Sequence, residues 1–207
     1  MSKTKTELEY AFFQLKGKII TSVWYKGKCS IKREYHATEE GLFLEFSDGG
    51  VFHVYPADEL KQKFIHGVYI KQIKHWEKEK KYFKRLENVT AEWKAYVGKE
   101  IQESRLNWNR IIDHKFSGGH NKSRTDYPHS LELRFDNGTP VYLDTMRIVG
   151  ENKKAYLGYP EITVFFNTEV RRLETDRLRL YSVSYTHLRA HETKANLVCR
   201  LLLEKKK

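Results

Sequence analysis

An alternating stretch followed by a tight turn occurs twice in this chain and limits the folds open to it. In residues 131–143, LELRFDNGTPVYL, apolar and polar side chains alternate before Asn-Gly, and an apolar stretch returns after it. Residues 42–54, LFLEFSDGGVFHV, repeat the pattern around Asp-Gly. A period of two is typical of a half-buried strand, and both dipeptides are typical of hairpin turns. The sequence therefore predicts two similar antiparallel hairpins.

A second correspondence places the hairpins in larger repeated units. Residues 16–20 (KGKII) resemble residues 97–101 (VGKEI), 81 positions further along, whereas the two hairpins are 89 positions apart. The eight extra residues are expected in the polar stretch 113–129, with Trp108 taking the place of Trp24. This pattern favours an internal duplication that builds two similar antiparallel β-sheet units. The alternative is that hairpins of this common type recur by chance.

A charged segment between the copies carries an apolar stripe. Its apolar side chains are separated by seven, three, seven and four positions: Trp76, Phe83, Leu86, Trp93 and Val97. This spacing predicts a long amphipathic helix. The predicted fold is therefore α+β, with a first β-rich unit in 1–74, a linking helix in 75–97 and a second β-rich unit in 98–182. A short helix is expected near the N-terminus, and Asn167 or Thr168 is expected to cap a last one.

The C-terminal residues 183–207 resemble the translation of a transposase-type sequencing adapter. Back-translated, residues 183–193 and 197–207 fit the two constant parts of such an adapter, with room for a sample index between them. Asn196 is one of the residues whose codon can end in AT, as the reading frame requires. The resemblance implies that this tail is not native and that the second unit is truncated, so the tail is excluded from fold reasoning. The alternative is a natural basic helix, and residues 1–182 resemble no known family.

Charge and cysteine content without this tail limit the function classes. The chain has 38 basic and 27 acidic residues, of which the tail holds six and two, so the net charge falls from +11 to +7. Cys29 then remains alone, which excludes an internal disulfide and a cysteine-paired zinc site. No stretch approaches the roughly 20 apolar residues of a membrane helix. We therefore expect a soluble, cytoplasmic protein without a cofactor.

The loop that begins at Asp113 contains the one sequence that suggests catalysis. Residues 113–121, DHKFSGGHN, resemble the Asp-His…Gly-Gly…Asn opening of HNH-type nucleases, in which a histidine activates water beside a divalent metal. That resemblance implies a metal-dependent nuclease, but this chain continues into a strand where the family has a ligand-bearing helix. The spacings of His114, His120 and His129 match no standard metal-ligand pattern. No catalytic or metal-binding residue is therefore predicted.

Basic and aromatic residues make nucleic acid the alternative ligand. Lysine and arginine contact phosphates, and aromatic rings stack on bases. The candidate binding residues are Trp24 in the first copy and Trp108, Arg110, Lys115, His120, Lys122 and Arg124 in the second. The lysines between residues 71 and 85 are instead interpreted as the solvated side of the linking helix.

The catalytic signatures that the chain lacks favour a binding role. It has no glycine-rich phosphate loop, no Gly-x-Ser-x-Gly elbow and no HExxH motif. Its aromatic residues and arginines are of the types that dominate protein interfaces. The sequence therefore favours a non-enzymatic protein-binding or regulatory module, such as a bacterial immunity or accessory protein, with another protein as the partner.

Overall fold

The computed structural model of this chain describes residues 5–57, 66–113, 123–149 and 154–181. Its elements in chain order are α1 (Lys5–Phe13), β1 (Ile20–Lys26), β2 (Cys29–Ile31), β3 (His36–Thr38), β4 (Leu42–Phe46), β5 (Val51–Ala57), β6 (Gly67–Ile73), α2 (Trp76–Glu79), β7 (Leu86–Asn88), β8 (Ile101–Asp113), β9 (Ser123–Phe135), β10 (Pro140–Val149), β11 (Lys154–Phe165) and α3 (Thr168–Tyr181). The strands form two antiparallel sheets, in the orders β6-β5-β4-β1-β7 and β2-β3-β11-β10-β9-β8. The prediction of antiparallel sheets in an α+β chain is confirmed, with strands dominating the described residues.

The predicted linking helix over residues 75–97 is wrong. Only α2 is α-helical, and a 3-10 turn follows it at Lys80–Tyr82. The backbone is extended at Phe83, and β7 then pairs with β1 along the edge of the first sheet. The region therefore forms a short segment that covers one face of the first sheet, followed by an edge strand.

The apolar stripe of this region is real, but its members are buried in two places. Trp76 is buried on the outer face of the first sheet, with Phe83 packed against the same cluster. Trp93 is fully buried in the main core instead. Because one straight helix cannot bury a single face against two separate surfaces, tertiary packing overrides the helical periodicity.

The segments that begin the two repeated units pair with each other. The N–H of Gly17 donates to the carbonyl oxygen of Ile101 at 2.8 Å, and the N–H of Gly98 donates to that of Ile20 at 2.8 Å. Both glycines have a φ of 80°, in the left-handed region that favours glycine. Each residue in one bond lies 81 positions from its counterpart in the other. Equivalent residues thus exchange hydrogen bonds, as an approximate two-fold axis requires.

The two hairpins found in the sequence have the same turn. The N–H groups of Gly49 and Gly138 each donate to the last residue of the preceding strand, both at 2.9 Å. The side chains of Asp48 and Asn137 each accept a hydrogen bond from the backbone N–H two residues further on. This Asx geometry stabilises a tight turn locally, and both hairpins share it.

Strand register extends the correspondence and corrects one expectation. Both β1 and β8 have a register irregularity after their first paired residue. Beyond it, Trp24 pairs with Phe43, and the equivalent pair in the second unit is Arg105 with Glu132. The counterpart of Trp24 is therefore Arg105, and Trp108 does not take its place.

The two units differ between their first and second core strands. In the first unit, β2 and β3 leave the first sheet, and β3 pairs with β11 of the second. In the second unit, β8 and β9 pair along one long ribbon. The eight extra residues lie between Leu106 and Leu131, an interval that contains the predicted insertion at 113–129.

The inner faces of both sheets contribute to one hydrophobic core. It includes Leu42, Leu44 and Phe46 of the first sheet and Leu131, Leu133 and Phe135 of the second. Phe12 and Leu15 also belong to this core, and Trp93 and Tyr96 occupy the equivalent positions 81 residues later. Burying each such side chain stabilises the fold by roughly 1.5–3 kcal/mol.

A polar junction inside the fold links the two sheets. The indole N–H of Trp93 donates to the hydroxyl oxygen of Tyr25 at 3.0 Å. The Tyr25 hydroxyl also forms a hydrogen bond with Nδ1 of His36 at 2.7 Å. Tyr25 belongs to the first sheet and His36 to the second. Burial lowers the pKa of His36, which favours the neutral form of its ring.

Candidate functional site

The outer face of the first sheet carries a group of rings that we call the outer aromatic cluster: Trp24, Phe43, Trp76 and Phe83. The ring centroids are 6.3 Å apart for Trp24 and Trp76, 4.6 Å for Phe43 and Trp76, and 5.1 Å for Phe43 and Phe83. The first two rings come from β1 and β4, where they alternate with side chains of the main core. The other two come from the segment that follows β6 and covers the sheet.

That covering segment is strongly basic. Residues 74–85, which we call the basic segment, contain six basic and two acidic side chains, a net charge of +4. Five of the basic residues are exposed: Lys74, Lys78, Lys81, Lys84 and Arg85. This positive charge lies over a sheet face that is itself largely aromatic.

Two lysines fix the basic segment to the outer aromatic cluster. Nζ of Lys80 lies 3.7 Å from the ring centroid of Trp24, and Nζ of Lys26 lies 5.0 Å from that of Phe83. Contacts between a cation and an aromatic face are worth about 0.5–2 kcal/mol each. Because one lysine comes from the segment and the other from β1, they bind the two layers from both sides. The exposed cations therefore sit on a defined backbone.

Tyr82 is the most exposed of the large apolar residues in the described part of the chain, at 84 %. It lies between exposed Lys81 and half-buried Phe83, whose ring packs on the sheet. The Tyr82 ring thus adds almost nothing to the core. Its surface is available to a ligand at the centre of the positive charge.

A shallow depression separates the basic segment from the turn between β1 and β2. It is lined by Gly27, Lys28, Cys29, Lys84, Arg85, Leu86 and Glu87. The N–H of Gly27 donates to the carbonyl oxygen of Arg85 at 3.0 Å, which joins the two walls. Lys28 is exposed on the opposite wall from Lys84, so the positive charge of the segment continues across the depression.

Cys29, in this depression, is held as a neutral thiol. Its Sγ–H donates to the Glu87 carboxylate at 2.8 Å. Burial and this neighbouring carboxylate raise the pKa of the thiol to about 11. Because the thiolate is the reactive form of cysteine, the geometry gives Cys29 a hydrogen-bonding role rather than a nucleophilic one.

The two tryptophans among the predicted binding residues are not brought together. Trp24 lies in the outer aromatic cluster of the first sheet. Trp108 lies on β8 in the second sheet, where its indole N–H donates to Glu9 at 3.0 Å and Nζ of Lys5 lies 4.9 Å from its ring centroid. Trp108 therefore holds α1 rather than extending a surface around Trp24.

Two of the other predicted residues lie on the long ribbon of the second unit. Arg110 belongs to β8 and Arg124 to β9. Lys115, His120 and Lys122 lie outside the described residues, as does His114 of the nuclease-like stretch. His129 is half-buried on β9. Within the described ranges, no group of three or more His, Cys, Asp or Glu side chains is placed to hold a metal ion.

The second sheet is covered differently, by α3. The Nε–H of Arg171 donates to the buried Asp144 carboxylate at 2.8 Å, and its guanidinium carbon lies 4.3 Å from the ring centroid of Tyr142. Arg172 donates to Glu169 at 3.0 Å. Residues 168–179 carry four basic and three acidic side chains, a net charge of +1. The second cover therefore lacks the excess charge of the first.

The sequence reasoning missed the basic segment as a site because it assigned these lysines to the solvated side of a helix. The available signal was local composition, since six cations and an exposed tyrosine fall within one short stretch. Without the helix, that explanation of the positive charge no longer holds.

None of the helices among the described residues is long and apolar enough to span a membrane. Comparison with protein-family models, with curated proteins and with solved structures finds no match to this chain.

Proposed function

We propose that this protein is a non-enzymatic binding module that takes an acidic macromolecular partner on the basic segment. The observation that carries the proposal is the group of five exposed cations on a backbone that Lys80 and Lys26 fix to the outer aromatic cluster. An accessory, regulatory or immunity protein would use such a surface to hold one partner.

Electrostatics gives this surface a physical role. Charge of one sign concentrated on a surface attracts an oppositely charged partner and speeds its association. Salt screens this attraction, with a Debye length of about 10 Å at 0.1 M ionic strength. Binding at the basic segment should therefore weaken steeply as salt rises.

We further infer that the two units arose by duplication and that their covers then diverged. The reciprocal hydrogen bonds of Gly17 and Gly98 support this origin, as do the equivalent turns and registers. A duplicated framework leaves one outer face free to acquire a binding surface while the shared core stays the same.

The proposal is tested by retention of the full chain on immobilised heparin, a polyanion. In the test variant, Lys78, Lys81 and Lys84 are each changed to glutamine. The matched control changes three cations on other parts of the surface in the same way, namely Lys16, Arg33 and Lys94, all of them exposed. Both variants lose the same net charge, so only the position of the charge differs.

We expect the test variant to elute at clearly lower salt than the control, because clustered cations bind a polyanion together. Equal elution of the two variants would mean that only overall charge matters and would refute the proposal. Weak retention of the parent chain at low salt would refute it as well.

A further inference from the structure

We propose that the acidic partner is single-stranded nucleic acid, with Tyr82 stacking on a base and Lys81, Lys84 and Arg85 contacting phosphates on either side of it. This inference rests on the proposed function and adds the chemical class of the ligand. It also assigns a role to the exposed ring, which charge attraction alone leaves unexplained.

The direction of the side chains supports this arrangement. The 3-10 turn ends at Tyr82, and the backbone at Phe83 is extended, with φ −78° and ψ 115°. Phe83 packs on Phe43 of the sheet, whereas Tyr82 and Lys84 are exposed. A ring and an ammonium group thus face solvent together, as stacking on a base with contact to its phosphate requires.

The positive charge also continues beyond the ring. Lys84 and Arg85 line one wall of the depression, and Lys28 lines the other. Glu87, two residues after Arg85 on the same wall, adds a negative charge that opposes the further passage of a phosphate. Four phosphate contacts, counting Lys81, predict that log K falls with log salt with a slope of about −3.

The same geometry disfavours the two other acidic ligands. Bases within a duplex are already stacked on each other, so Tyr82 would have none to receive it, and α2 has only four residues, too few to lie along a major groove. An acidic polypeptide would satisfy the lysines but offers no base to the ring. Only a single strand uses the cations and Tyr82 together.

The experiment measures fluorescence anisotropy of a labelled oligothymidylate of about 12 nucleotides, within the usual site size for single strands. A hairpin duplex and polyglutamate serve as competitors of matched charge. We expect the full chain to prefer the oligothymidylate over both. Tyr82→Ala should weaken its binding by about tenfold or more, because stacking on the ring is lost.

Tyr82→Phe is the control, because it retains the ring and should bind within about twofold of the parent. Since Tyr82 is 84 % exposed, neither variant should change the unfolding midpoint, and both should elute from heparin like the parent. Unchanged binding by Tyr82→Ala, or equal competition by polyglutamate, would overturn the inference while heparin retention upholds the proposed function. If the parent chain bound neither oligothymidylate nor heparin, both the inference and the proposed function would be overturned.

Discussion

The two units of this protein are alike on their inner faces and unlike on their outer faces. On the inner faces, β4 of the first unit contributes Leu42, Leu44 and Phe46, and β9 of the second contributes Leu131, Leu133 and Phe135. The equivalent outer positions hold Trp24, Phe43 and His53 in the first unit and Arg105, Glu132 and Tyr142 in the second. At these three positions the first unit has aromatic rings throughout, whereas the second has two charged side chains and one tyrosine, which packs in a separate buried cluster.

The difference shows which surface can carry a specific function. Both inner faces belong to one core, so a change there affects both units. The outer faces pack against different residues, Trp76 and Phe83 on the first sheet and Tyr35 with Val170 of α3 on the second. One outer face can therefore change without the other. The first cover is short and leaves its cations exposed, whereas α3 pairs Arg171 with Asp144 and Arg172 with Glu169.

The largest expected effect comes from breaking the contact that fixes the second cover. Arg171→Met removes the donor at 2.8 Å from the Asp144 carboxylate, whose side chain is only 1 % exposed. A buried charge that loses its partner costs about 3–5 kcal/mol. The free energy of unfolding, measured by urea denaturation, should fall by about that amount.

Arg172→Met is the matched control on the same helix. Its ion pair with Glu169 is exposed, at 58 % and 62 % for the two side chains, and exposed pairs contribute at most about 1 kcal/mol. A similar loss in both variants would show that α3 is not held through the buried pair.

Acid should destabilise the first unit through His53, whose counterpart in the second unit is Tyr142. The ring of His53 donates to the carbonyl oxygen of Glu40 at 2.9 Å and stacks on Phe43. Burial lowers the pKa of His53 to about 3, whereas the unfolded chain takes up this proton below about pH 6.5. The contribution of His53 to stability is therefore complete above about pH 6.5 and declines toward pH 3, by up to about 1.4 kcal/mol per pH unit.

The measurement compares urea denaturation of the parent and His53→Phe near pH 7 and near pH 5. The parent should lose about 2 kcal/mol more than the variant on acidification. Burial also lowers the pKa values of His36 and His129, so the variant should keep a smaller slope of the same sign. Identical slopes would contradict the role of His53.

The smallest expected effect comes from the contact that fixes the first cover. Lys80→Met removes the ammonium group 3.7 Å from the Trp24 ring centroid and 3.9 Å from the Glu45 carboxylate. Unfolding free energy should fall by about 1 kcal/mol, as expected for a half-buried contact between a cation and a ring. Lys81→Met, at an exposed position, should leave stability unchanged. A loss as large as that of Arg171→Met would remove the proposed contrast between the covers.

The features of the fold that depend on interactions between neighbouring residues could be predicted from the sequence. The hairpins follow from alternating side chains and turn dipeptides, and Asn167 caps α3 through a hydrogen bond of 2.8 Å from the N–H of Glu169. The prediction of the linking helix was wrong because periodicity shows that side chains could share one face of a helix but not which surface buries them. Of the predicted site residues, Trp24 lies beneath the basic segment and contacts Lys80, whereas Trp108 packs against α1.

The sequence by itself determined the two hairpins and their correspondence, because strand period and turn chemistry act between neighbouring residues. Only the tertiary structure decided that Gly17 and Gly98 exchange hydrogen bonds with the opposite unit. It also decided that Trp76 and Trp93 are buried on different surfaces. These outcomes depend on packing between residues far apart in the chain, and that packing leaves the lysines of the basic segment on a short exposed cover.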